Sequence, residues 1–128
     1  MLSHTSEYAL RIMVLLAKQE TGQFLKGEAI AKETKVPEAY LAKILQALNR
    51  AGLVCAQKGK GGGYALNQPQ EKISLYQIIN AVDPFERITR CPLGIAEHTS
   101  LCPLHKKLDA AYAEFEQIFA DCTLHQLK

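Results

Sequence analysis

The chain has 128 residues, 48% of them hydrophobic, and a formal net charge of +2. That length suits one domain with a real core, or one compact domain plus an extension. No run approaches the roughly 20 apolar residues of a membrane span, since residues 10–17 are too few and Arg11 interrupts them. No basic leader with an apolar stretch and cleavage site is present, so a cytoplasmic protein is expected. The four cysteines then read as thiols or metal ligands, the cytosol being reducing.

The charge is unevenly spread. Residues 1–66 hold nine Lys/Arg against five Asp/Glu, whereas residues 67–128 hold six against eight. The basic half is the one suited to a polyanion.

Ser3 or Thr5 can cap a first helix, and Glu7 suits its first turn. Tyr8, Leu10, Ile12, Met13, Leu15 and Leu16 make that helix apolar over most of its circumference, which places it centrally in the core. Lys26-Gly27 leads into a short helix over about residues 28–34. Lys35-Val36-Pro37 breaks it, because the residue before proline avoids the helical region. Pro37 suits the first turn of the next helix, in which Leu41, Ile44, Leu45 and Leu48 recur at helical spacing to about Arg50. Gly52 is the favoured terminator. Short helix, tight turn and longer helix have the dimensions of a helix-turn-helix.

Residues 57–66, Gln-Lys-Gly-Lys-Gly-Gly-Gly-Tyr-Ala-Leu, concentrate four of the eight glycines and two lysines. Glycine supplies the left-handed geometry of a tight hairpin, and Lys58 and Lys60 charge its tip. A basic hairpin after a helix-turn-helix makes a winged helix suited to a phosphate backbone. The second helix would enter the major groove with Pro37, Glu38, Ala39, Tyr40 and Lys43 foremost, and Lys26, Lys58, Lys60 and Gly61 would contact the DNA beside it. Tyr40 could instead be a packed core ring, and Lys43 a solvated charge. Cys55 alternates with the strand pattern and is expected in the core.

Ser74 caps a helix over residues 75–82, ended by Asp83-Pro84. Residues 84–102 have weak periodicity and read mainly as a loop. Pro103 opens a last helix to about Ala120, with Leu104, Leu108, Ala111, Tyr112, Phe115, Ile118 and Phe119 on one apolar face. A monomeric winged helix has little left to cover that face, so a symmetric dimer is the simplest solution. It would suit a palindromic operator with half-sites about 34 Å apart. The expected class is mainly α: a winged helix-turn-helix (1–83), a cysteine-containing loop (84–102), and a C-terminal dimerisation helix with a tail (103–128).

Cys-Pro-Leu occurs at Cys91 and again at Cys102. Each proline can begin a helical turn, which sets the sulfur at the positive end of a helix dipole. With His98 and His105 nearby, iron–sulfur or zinc ligation is chemically reasonable. A reversible redox pair and inert buried thiols are the alternative readings of these residues. Two cysteines do not complete a four-ligand site, so the remainder would come from His98, His105, an acid such as Glu7, or another subunit. Cys122 receives no role. No nucleophile constellation is recognisable, and the glycine stretch lacks the Gly-Lys-Ser/Thr ending of a phosphate loop, so no enzyme is expected.

The segments Ser6-Glu-Tyr-Ala-Leu-Arg11, Ala29-Ile-Ala-Lys32, Val36-Pro-Glu-Ala-Tyr-Leu41, Ile44-Leu-Gln-Ala-Leu48, Ala51-Gly-Leu53, Lys58-Gly-Lys-Gly-Gly-Gly-Tyr-Ala-Leu66 and Cys91 to His105 together resemble the Rrf family of bacterial winged-helix transcriptional regulators. The resemblance covers nearly the whole chain. It implies a homodimeric, nucleoid-associated transcription factor, a repressor or an activator, whose long C-terminal helices cross at the interface. Cluster-binding members carry three cysteines before that helix. Cys91 and Cys102 match the first and last, Glu7 matches an N-terminal acid ligand, and His105 resembles a histidine ligand. The middle cysteine is missing, with His98 in its region. A [2Fe–2S] cluster held by two Cys plus His or Glu therefore fits better than a three-cysteine [4Fe–4S] site, as does a cluster-free regulator controlled by a partner protein or thiol oxidation.

Overall fold

The computed structural model describes residues 2–85, 93–94 and 102–128. The loop expected over 84–102 therefore lies mostly outside the described residues.

The first helix, α1 (His4–Ala17), begins at Ser3, whose hydroxyl accepts the Ser6 N–H. It buries Ser6, Ala9, Ile12, Met13, Leu16 and Ala17, the three-and-four spacing of one helical face. That face packs against α2 (Gly27–Thr34), α3 (Glu38–Arg50) and α4 (Leu75–Val82), which makes α1 the central post of the core.

Between α2 and α3 the chain turns at Lys35, which adopts φ 58°, a left-handed conformation uncommon outside glycine. Pro37 stands one residue earlier than expected, at the N-cap of α3 rather than inside its first turn. Leu41, Ile44, Leu45 and Leu48 of α3 are buried. The helix closes with both hydrogen bonds of a Schellman motif, Leu53 N–H to Leu48 C=O and Gly52 N–H to Asn49 C=O, with Gly52 at φ 77°.

Strands β1 (Val54–Gln57) and β2 (Gly63–Leu66) pair antiparallel, in register from Val54↔Leu66 to Gln57↔Gly63. Leu25 adds a bridge to the outer edge of β2 by exchanging backbone hydrogen bonds of 2.9 and 2.8 Å with Tyr64. Gly63 is required there, because a Cβ on it would stand 2.3 Å from the Leu25 carbonyl oxygen. Cys55 corrects the expectation of a core residue. It is half-buried, with its Sγ 3.9 Å from the Leu66 carbonyl, because it lies on the solvent-leaning side of a two-stranded ribbon.

Ser74 and Gln77 form a reciprocal capping box at the start of α4. The long helix α5 (Pro103–Asp121) follows, with Cys102 at its N-cap. Its tail then returns to the winged-helix unit. Thr123 bridges Ser74, Leu75 N–H donates to Cys122 C=O, Leu124 N–H donates to Ile73 C=O, and the Leu124 side chain is fully buried in the core. Burying such a leucine contributes about 1.5–3 kcal/mol. The sequence pattern gave no sign of this return. Among the described residues, no helix is long and apolar enough to cross a membrane.

Candidate nucleic-acid interface and buried cysteine

Most of the residues expected to meet DNA are exposed. Pro37, Glu38, Tyr40 and Lys43 are exposed at the N-terminal end of α3, and Lys58, Lys60 and Gly61 are exposed at the tip of the β1–β2 hairpin. Tyr40 is 51% exposed, so it is not the core ring that its apolar neighbours allowed. Its ring rests on Tyr8 of α1 with 5.9 Å between centroids, and the Arg11 guanidinium stands 5.6 Å from the Tyr8 ring. Glu38 lies in the first turn of α3, where a carboxylate complements the helix dipole.

The hairpin is fixed to the helices at three levels. At its base, the side-chain amides of Asn67 and Gln68 both donate to the Gly52 carbonyl just beyond α3. In its middle, Leu25 pairs with Tyr64. At its tip, Lys26 Nζ donates to the Gly59 carbonyl at 2.7 Å. Lys26, expected among the DNA contacts, thus bonds to the hairpin itself. No local sequence signal marks these anchors. Glutamine and asparagine after a strand signal only a turn, and the dipeptide before α2 has no periodicity to mark it as a pairing partner.

The second group of interest is at the start of α5. Cys102 Sγ accepts the His105 backbone N–H at 3.3 Å, and Pro103 occupies the first helical position. Cys102 and His105 are both buried, at 9% and 4% exposure. A soft sulfur and an imidazole-bearing residue therefore share one buried turn at the positive end of a 19-residue helix. That donor chemistry fits an iron–sulfur or zinc ligand pair. Among the described residues no group of three His, Cys, Asp or Glu stands close enough to hold a metal. Cys91 and His98 lie outside the described residues. Glu7 is on α1, half exposed, with its carboxylate 3.9 Å from His4 Nδ1.

A third feature is apolar. Leu104, Leu108, Tyr112 and Ile118 of α5 are exposed, as is Leu2. A groove of about 730 Å³ runs beside them, lined by residues that include Leu2, Ile79, Phe85, Tyr112, Phe115 and Phe119.

The Rrf2 family, described as iron-dependent transcriptional regulators, matches residues 2–128. A protein of Aquifex aeolicus (strain VF5), assigned by inference as an HTH-type transcriptional regulator, is 30% identical over 98% of this chain and 89% of its own length. The structure of CymR (YrzC), the global cysteine regulator of B. subtilis, superposes with TM-score 0.81 at 24% identity, covering 99% of this chain and 95% of that one. T. potens IscR gives TM-score 0.82 at 20% identity, over 99% and 85%. These two likenesses establish the winged-helix fold.

Proposed function

The chain belongs to the Rrf2 family of transcriptional regulators, and from that premise we propose that it is a homodimeric repressor that reads its signal at Cys102. It binds double-stranded DNA at a palindromic operator. Tyr40 and Lys43 face the major groove from the start of α3, and Lys58 and Lys60 hold the phosphate backbone beside it. The second copy covers the exposed face of α5 that carries Leu104, Leu108, Tyr112 and Ile118. A two-fold pair of recognition helices is what a palindrome requires. The protein works in the cytoplasm, on the nucleoid.

The observation that carries the sensing part is the burial of Cys102 with His105 on the first turn of α5. Cys91 and Cys102 would be the thiolate ligands of a [2Fe–2S] cluster, completed from His98, His105 or Glu7. When bound, that group supplies a centre reactive to oxidants and nitric oxide. The protein's own part is mechanical. Cys102 fixes the N-terminus of α5, and the Cys122–Leu124 segment fixes its other end to Ile73 and Leu75 of the DNA-binding unit. A change at Cys102 is therefore delivered to the base of α4 through one continuous helix. For the signal to alter DNA binding, it must favour one of the two arrangements.

Anaerobic purification followed by an absorption spectrum and iron and sulfide analysis tests this. A brown protein whose visible absorbance disappears in Cys91→Ala and Cys102→Ala is expected. A protein that stays colourless after reconstitution contradicts the cluster, and leaves a thiol- or partner-controlled regulator.

A further inference from the structure

The Gly59 carbonyl closes the tip of the wing. It accepts the Gly62 N–H at 3.1 Å across the turn, and it also accepts Lys26 Nζ at 2.7 Å from a residue 33 positions away. Both lone pairs of that oxygen are thereby used. The turn brings its backbone strands so close that residue 62 must be glycine, since a Cβ there would stand 2.1 Å from the Gln57 carbonyl oxygen. Lys26 is itself the N-cap residue of α2, and its neighbour Leu25 is paired to Tyr64. One short segment in front of the helix-turn-helix therefore grips the wing both in the middle and at the end.

We propose that Lys26 is a positioning residue for DNA binding, which clamps the wing tip to the helix-turn-helix and so sets where Lys58 and Lys60 meet the phosphate backbone. The inference rests on the DNA-binding reading above, and it assigns Lys26 a role different from a phosphate contact. A two-stranded hairpin is marginally stable alone. Left loose, it would lose conformational entropy on each encounter with DNA. Held in place, it presents its two charges preorganised. The ammonium is suited to this work because a charged donor makes a stronger hydrogen bond than a neutral one.

The test uses the full-length protein labelled with nitrogen-15, in wild-type, Lys26→Met and Lys26→Arg forms. In free protein, Lys26→Met should lower the backbone order parameters of Gly59 to Gly62 from about 0.85 towards 0.6. Lys26→Arg, which keeps a charged donor, should restore much of the loss. Unchanged tip order in Lys26→Met overturns the clamp. A mixed-sequence duplex then serves as the binding probe. Lys26→Met should weaken binding by about three- to tenfold, and should add little in a Lys58→Ala/Lys60→Ala background, because its effect runs through those lysines. A fully additive loss, with the salt slope falling by about one charge, would make Lys26 a direct phosphate contact and overturn the proposal. If wild-type protein binds no duplex, the DNA reading fails, and the tip order alone decides the clamp.

Discussion

The ring of Tyr40 leans on that of Tyr8 at 46° between planes, which ties the exposed start of α3 to the first turns of α1. Arg11, one turn further along α1, covers Tyr8 and reaches the Thr34 carbonyl at the end of α2 at 3.5 Å. The start of α3 is thus held by a surface cluster as well as by its buried leucines. Such an aromatic pair is worth about 0.5–1.5 kcal/mol, so Tyr40→Ala should lower stability by no more than that. Its loss of affinity for a duplex recovered by selection should be much larger, and Tyr40→Phe should separate the hydroxyl from the stacking. Equal affinities in wild type and Tyr40→Ala would remove Tyr40 from the interface. Chemical denaturation and fluorescence anisotropy give the two readouts.

Replacing Lys58 and Lys60 together by alanine should weaken binding to all sequences alike. The slope of log affinity against log salt should shrink by about two, at roughly 0.9 per phosphate contact. Both residues are exposed at the hairpin tip, so the unfolding midpoint should hardly move.

Leu124→Ala should destabilise the protein by about 2–5 kcal/mol, the usual range for a fully buried leucine. Urea unfolding checks this. A change below about 0.5 kcal/mol, the scale of ordinary surface substitutions, would mean that the tail is not part of the core.

Leu108 and Tyr112 are exposed on the apolar face of α5. Leu108→Glu and Tyr112→Glu should convert the proposed dimer to single chains in sedimentation equilibrium, since two buried like charges on a two-fold interface repel and are desolvated. Wild-type protein that already sediments as one chain would contradict the dimer.

The elements with local signals were legible in the sequence. Val36-Pro37 and Gly52 punctuate the helix-turn-helix, the glycines after Lys58 mark the wing, and Pro103 marks the start of α5. Each works through the conformation of its own residue. The non-local contacts were not legible. Leu25 pairs with Tyr64, Lys26 with Gly59, and Leu124 with Ile73, each across dozens of residues. None leaves a periodic trace, because a single extended residue has no face to repeat. Of the candidate site, the Cys-Pro-Leu motif foretold that Cys102 begins a helix. Its pairing with the His105 N–H follows from N-cap geometry. The burial of both residues depends on packing that no short motif encodes.

Under the proposed function, the state of Cys102 governs the winged helix. The direct measurement is the affinity of the anaerobically reconstituted protein for its selected duplex, compared with metal-stripped protein and with Cys102→Ala. A difference of about fivefold or more is expected between the reconstituted and stripped forms, the lower range of allosteric coupling, with Cys102→Ala fixed at the stripped value. Identical affinities in all three would contradict it.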